Sequence, residues 1–130
     1  MIFIDRSIPK DVALALRYVR SDVKWLEDEF PHDAPDEIWL KSIGERGWLA
    51  VTRDKKVRTR PGERAALAVN RVGCFVLVQK QPLTKWHYLK LLALTLDDME
   101  RIFAATERPF LYGVGRTCRF TRIDRSPAPC

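Results

Sequence analysis

Three aspartates stand where the chain could bring carboxylates to one place. Asp5 follows the apolar run Ile2-Phe3-Ile4, and Asp54 lies just beyond Trp48-Leu49-Ala50-Val51-Thr52. Asp36, with Glu37 beside it, follows the turn Pro31-His32-Asp33-Ala34-Pro35. Unpartnered carboxylates held close together repel one another. A divalent cation removes that repulsion, and an all-oxygen ligand set favours Mg²⁺ or Mn²⁺ over zinc. A cation so held lowers the pKa of bound water and neutralises charge on a phosphodiester, which is the minimal equipment of a hydrolytic nuclease. Each acid also has a plainer role open to it. Asp5 could simply end a strand, Asp36 and Glu37 suit the positive end of any helix dipole, and Asp54 could be a turn residue.

The residues around these acids are basic. Arg53, Lys55, Lys56, Arg58, Arg60 and Arg64 crowd the loop that holds Asp54, where Glu63 is the one other acid. Such a loop would hold the phosphates on either side of a scissile bond, and Arg6 and Lys10 could add to the same rim. The same loop could equally be a solvated surface. The net charge of +6 and the isoelectric point near 9.5 favour a polyanionic partner, most simply nucleic acid. Arg116, Arg119, Arg122 and Arg125 form a second run spaced by three, which alternates faces on a strand and makes no single stripe. His32 and His87 have no Cys or His neighbour at zinc spacing. There is no nucleophile–base pair and no Gly-rich phosphate loop. Cys74, Cys118 and Cys130 lie far apart with no C-x-x-C pair, which argues against a disulfide framework and for a reducing, cytoplasmic setting. The opening residues turn charged at Asp5, unlike a secretory signal, and the apolar runs are too short to span a bilayer.

The elements that must position these residues can be read from pattern. Residues 2–4 form a short buried strand. Ser7 and Pro9 then open a helix carrying Val12, Leu16 and Val19 at helical spacing. A strand is expected over 22–26. Asp33 is the expected cap of a second helix, with Asp36 and Glu37 in its first turn, Trp39 and Ile43 on its apolar stripe, and Gly44 and Gly47 at its end. Further strands are expected over 48–52 and 74–78, with a helix over 61–70 between them. A long helix opens at Pro82 and buries Leu89, Leu92, Leu96, Met99 and Phe103. Residues 110–112 and 119–123 suit a terminal hairpin around Gly113 and Gly115. This leaves one domain over 1–125 and a Pro-rich tail over 126–130 that should be disordered. Strands alternating with helices predict an α/β fold of three layers, with a mostly parallel central sheet. In such sheets ligands bind beyond the carboxyl ends of the strands where strand order reverses. In a 2-1-3-4 order Asp5 and Asp54 converge, and the helix start brings Asp36 towards them.

Phe3-Ile4-Asp5-Arg6-Ser7, Asp33-Ala34-Pro35-Asp36-Glu37-Ile38-Trp39-Leu40 and Gly47-Trp48-Leu49-Ala50-Val51-Thr52-Arg53-Asp54-Lys55-Lys56 together resemble the pattern of PIN-like domains. The likeness covers roughly residues 2–80 and is strongest to the PIN-like toxins of VapBC-type toxin–antitoxin systems. It implies a Rossmann-like PIN fold, Mg²⁺ or Mn²⁺ as cofactor, metal-dependent endoribonuclease activity on RNA, and a cognate antitoxin protein as partner. Carried over by position, it makes Asp5, Asp36 and Asp54 the catalytic metal ligands, with Glu37 as a substitute for Asp36. The chain departs from the pattern once. A further acid often follows in these nucleases, whereas Gln79 and Lys80 stand at the end of the fourth strand. That departure keeps an alternative open, a catalytically weak or inactive PIN-like module that binds RNA or protein. A phosphotransfer protein with Asp5 as nucleophile fits less well, because Arg6-Ser7 follows it where paired acids are wanted. The leucine face of the long helix suits a core, while Trp86 and Tyr88 leave room for a partner groove, a homodimer included.

Overall fold

The computed structural model describes residues 1–31, 33–54 and 60–124. The apolar runs become strands and the amphipathic segments helices. In chain order these are β1 (Ile2–Ile4), α1 (Lys10–Val19), β2 (Val23–Trp25), α2 (Leu26–Glu29), α3 (Asp36–Arg46), β3 (Leu49–Thr52), α4 (Pro61–Val69), β4 (Gly73–Val78), α5 (Lys85–Ala105), β5 (Phe110–Gly115) and β6 (Phe120–Arg122). They build a six-stranded sheet in the order β2-β1-β3-β4-β5-β6. The first five strands are parallel, and β6 returns antiparallel to β5.

Parallel strands covered on both faces must be apolar on both faces, and β1, β3 and β4 are. Ile2, Ile4, Val51, Phe75 and Leu77 pack into one core with Val12 and Leu16 of α1 and Leu92, Leu96 and Met99 of α5. Phe3, Ala50, Cys74, Val76 and Leu111 point the other way, into a second core with Trp39, Leu40 and Ile43 of α3 and Leu67 of α4. The result is the expected three-layer α/β sandwich. Strand order reverses between β1 and β3, where the acids were expected to gather. Among the described residues no helix is long and apolar enough to cross a membrane.

Several local expectations are corrected. Ser7 does not cap α1: Pro9 holds the cap position without a side-chain hydrogen bond, and the Ser7 hydroxyl is used elsewhere. Pro35, not Asp33, precedes α3, although Asp36 and Glu37 do fill its first turn. The long helix begins at Lys85 and not at Pro82, because the side chain of Thr84, two residues further on, accepts from the His87 backbone N–H. Gly113 and Gly115 lie inside β5, not in a turn. At Gly113 the missing side chain makes room for Ile123, whose Cδ1 would lie 2.8 Å from an added Cβ. The expected disordered tail, residues 126–130, lies outside the described residues.

Gly47 does end α3, with φ of 69° in the left-handed region, as a glycine at that position commonly does. Gly44 does not end it. It sits within the helix, where an added Cβ would lie 2.1 Å from the carbonyl oxygen of Asn70. Gly44→Ala should therefore cost about 1–3 kcal/mol through overpacking, read as a thermal midpoint lower by roughly 3–10 °C. Gly62, at the start of α4, has nothing within 4 Å of an added Cβ. Gly62→Ala should leave the midpoint unchanged or raise it. Equal effects of the two substitutions would show that the α3–α4 contact is not tight.

Candidate functional site

The pairing of β1 with β3 sets Ile4 opposite Val51, so the next residues, Asp5 just beyond β1 and Thr52 at the end of β3, lie side by side. The Asp5 N–H continues the ladder, donating to the Val51 carbonyl at 3.0 Å. The Asp5 residue is only 5% exposed. One carboxylate oxygen, Oδ2, accepts from the Thr52 hydroxyl at 2.6 Å and from the Ser7 hydroxyl at 2.9 Å. Each hydroxyl in turn accepts from the backbone. The Arg53 N–H donates to Ser7 Oγ at 2.9 Å, and the Asp54 N–H donates to Thr52 Oγ1 at 3.0 Å. Both hydroxyls can therefore donate to Asp5, and they also lie 3.2 Å from each other, where either can donate to its neighbour. The two strand ends and the turn after β1 are thereby tied together through one buried carboxylate.

Burial pushes the Asp5 carboxyl above its ordinary range, the Thr52 and Ser7 hydroxyls pull it partly back, and the negative charge of Asp36 raises it again. Asp5 and Asp36 are therefore electrostatic neighbours. Asp36 heads α3, where Trp39 Nε1 donates to its Oδ1 at 3.0 Å. Arg6 lies across the same helix start, with Nη2 3.5 Å from Asp36 Oδ1 and Nη1 donating to the Ala34 carbonyl at 3.1 Å. Asp36 and Glu37 line a cavity of about 400 Å³ together with Arg60 and Glu63. Asp54 lines another, of about 460 Å³, with Ser7, Arg53 and Gln79. The structure thus brings Asp5 beside Thr52 and Ser7, couples it to Asp36, and opens Asp36 and Asp54 onto separate cavities. Among the described residues no three His, Cys, Asp or Glu side chains gather into a metal-holding group.

The basic residues expected to hold RNA divide between these openings. Arg53 lines the Asp54 cavity with its guanidinium 5.7 Å from the Tyr88 ring centre. Arg60 lines the Asp36 cavity. Lys10 reaches towards Glu27, 3.9 Å away. Arg64 turns from the loop to the hairpin and donates to the Ile123 carbonyl at 3.0 Å. Lys55, Lys56 and Arg58 lie outside the described residues, as do His32 and Arg125.

Ser7 and Thr52 escaped the sequence reading as site residues. Their signal was present: a hydroxyl two places after the first strand-end acid and another two places before the second. A serine ahead of a helix is read first as a cap, and that reading hid it.

A family model for a PIN like domain matches residues 1–79. That span holds β1 to β4, all three aspartates and both hydroxyls. The chain belongs to the PIN-like domain family, whose wider superfamily includes nucleases. No curated protein and no solved structure matches it.

Proposed function

We propose that the protein is a metal-dependent endoribonuclease that hydrolyses RNA phosphodiesters at the carboxyl ends of β1 and β3. The observation that carries this reading is the buried Asp5 carboxyl, its charge disfavoured by burial and by Asp36, at the strand-order reversal. Such a carboxyl is suited to a counter-cation. The donors are oxygens, which fits Mg²⁺ or Mn²⁺. One or two protein carboxylates are enough for Mg²⁺, because water and substrate phosphate complete its octahedron. Asp5 and Asp36 would hold the ion, with Glu37 standing in for Asp36, while Asp54, which opens on its own cavity at the β3 end, would join the set only by turning towards it. A divalent cation there supplies positive charge for the phosphodiester oxygens and acidifies a water. Ser7 and Thr52 keep Asp5 in one orientation, and Arg53 and Arg60 draw the phosphates of the strand into the two openings. Lys55, Lys56, Arg58, Arg6 and Lys10 belong to the same basic rim. The likeness to VapBC-type toxins extends the reading to a cytoplasmic toxin with a cognate antitoxin protein.

Incubation with total RNA in Mg²⁺, Mn²⁺ or a chelator, followed by sequencing of the cleaved ends, tests it. Cleavage is expected with either cation and not with the chelator, and equal cleavage in the chelator overturns it. Mn²⁺ at about a hundred times its dissociation constant should also stabilise the parent by roughly 2.7 kcal/mol. Asp36→Asn should lose most of that gain. Equal gains in parent and variant would remove Asp36 from the metal site.

One observation favours a second reading. Gln79 and Lys80, not an acid, follow β4. A module that binds RNA without cutting it would show no cleavage with any divalent cation and undiminished RNA affinity.

A further inference from the structure

At the carboxyl ends of β4 and β5 lies an opening of about 950 Å³. It shares Gln79, Lys80, Gln81 and Pro82 with the cavity that carries Asp54, so the two adjoin. The character of the lining changes between them. The Asp54 cavity holds an acid, whereas the larger opening is lined by Lys80, Arg116 and His87 and by no acid among the described residues. Lys80 and Arg116 are both exposed, and neither forms an ion pair with a described residue. The first turn of α5, which starts at the same place, has no acid to offset its dipole, so the helix adds to the positive potential. Pro82 and Leu83 supply apolar wall.

Gln79 stands between the two cavities. Its Nε2 donates to the Tyr88 hydroxyl at 2.8 Å, while its Oε1 is buried without a hydrogen-bond partner. A buried amide oxygen left unpaired costs about 1–3 kcal/mol. Reversing the amide would pair its oxygen with Tyr88 and leave the nitrogen unmatched instead. One end of this amide therefore lacks a partner, in a residue that lines both cavities.

We propose that this opening is a nucleotide pocket for single-stranded RNA. Lys80 and Arg116 hold the phosphate next to the one at Asp54, the base lies against Pro82 and Leu83, and the spare end of the Gln79 amide pairs with the base edge. The size suits one nucleotide, because small-ligand sites run to roughly 300–1,000 Å³. A base reaches such a pocket only when it is splayed out of a helix, so duplex RNA is excluded. The inference rests on the RNA-binding part of the proposed function and not on catalysis.

The test is fluorescence anisotropy with a labelled, unstructured 12-nucleotide RNA and with the duplex of the same sequence. It is run across a salt series in Mg²⁺ in the Asp54→Asn background, so that the RNA survives. The single strand should bind at least tenfold more tightly than the duplex. Replacing Lys80 and Arg116 together by Ala should weaken single-strand binding at least tenfold and flatten the log–log salt slope by about 1.4, roughly 0.7 per lost contact. A charge-matched pair that does not line the opening, Lys41→Ala on α3 with Arg101→Ala on α5, should leave that slope near the parent's. Gln79→Leu should narrow the spread of affinities among oligo(A), oligo(C) and oligo(U). Equal affinity for duplex and single strand, an unchanged slope in the Lys80/Arg116 variant, or no RNA binding at all overturns the pocket. An unchanged spread removes Gln79 from base reading. Cleavage by the parent is scored separately. Binding with the expected slopes but no cleavage keeps the pocket and removes the nuclease, and cleavage with unchanged slopes does the reverse.

Discussion

Asn in place of Asp54 should lower RNA cleavage by roughly a hundredfold or more, since loss of a charge that acts in the transition state commonly costs a few kcal/mol. RNA binding should survive. Strand β3 is buried along its whole length, so it holds the residues beyond it to one path. The Asp54 N–H is pinned to the Thr52 hydroxyl at 3.0 Å, and that contact does not involve the side chain that changes. Asn is close to Asp in size, leaves that backbone contact in place and removes the negative charge. The basic rim that draws in the strand, Arg53 included, is untouched. Cleavage of a mixed RNA pool by parent and variant at matched Mg²⁺, with anisotropy run alongside, measures both effects. A variant that cuts as fast as the parent would place Asp54 outside the reaction. A variant that loses binding and cleavage together would make Asp54 a structural residue.

The fold was legible because each layer obeys a simple period. Apolar runs at 2–4, 48–52 and 74–78 announce strands buried on both faces, and alternation with helices announces a mostly parallel sheet, for which 2-1-3-4 is one order that makes β1 and β3 neighbours. The errors fall where one residue type serves two purposes. In the sequence Gly44, Gly113 and Gly115 look like punctuation, because glycine often ends elements. Gly44 and Gly113 are instead places where another group comes too close for a Cβ, a tertiary fact with no local signature. Ser7 was read as a cap and is a donor to a carboxylate 2.9 Å away. At the site, Asp5 and Asp36 could be placed from strand end and helix start. That Asp36 and Asp54 open on different cavities depends on the paths after β3 and before α3, which pattern does not fix. Gln79 shows the reverse case. It registered in the sequence as a missing acid, and its position between two cavities gives that absence a purpose.

Asn in place of Asp5 should abolish cleavage and, without divalent cations, make the folded protein more stable. The Asp5 carboxyl is held above its usual value of 3.8, first by burial and then by Asp36. The folded state thus binds the Asp5 proton more tightly than the unfolded chain does. Stability from this group is fully present below 3.8 and is lost as pH rises through the folded value, because the ionised form is the one that burial disfavours. Once the carboxyl is ionised, the parent carries that burden. Asn carries no charge, and its Oδ1 can still accept from both the Ser7 and the Thr52 hydroxyls; the backbone N–H of Arg6, which also favours the carboxylate, keeps a partner only by sharing that oxygen. Removing such a functional strain commonly yields about 0.5–2 kcal/mol, here a midpoint higher by roughly 2–8 °C. Thermal melts of parent and variant in chelator, from pH 4 to pH 8, give the check. The difference should be largest at the alkaline end and shrink as pH falls through the raised folded value, where the parent carboxyl takes up its proton. Added Mn²⁺ should then stabilise the parent and not the variant, closing or reversing the gap at neutral pH. A variant less stable than the parent at pH 7.5 in chelator would mean that the two hydroxyls favour the ionised carboxylate by more than burial and Asp36 disfavour it. Asp5 would then be a structural anchor between β1 and β3, and the case for a cation at this strand end would fall with it.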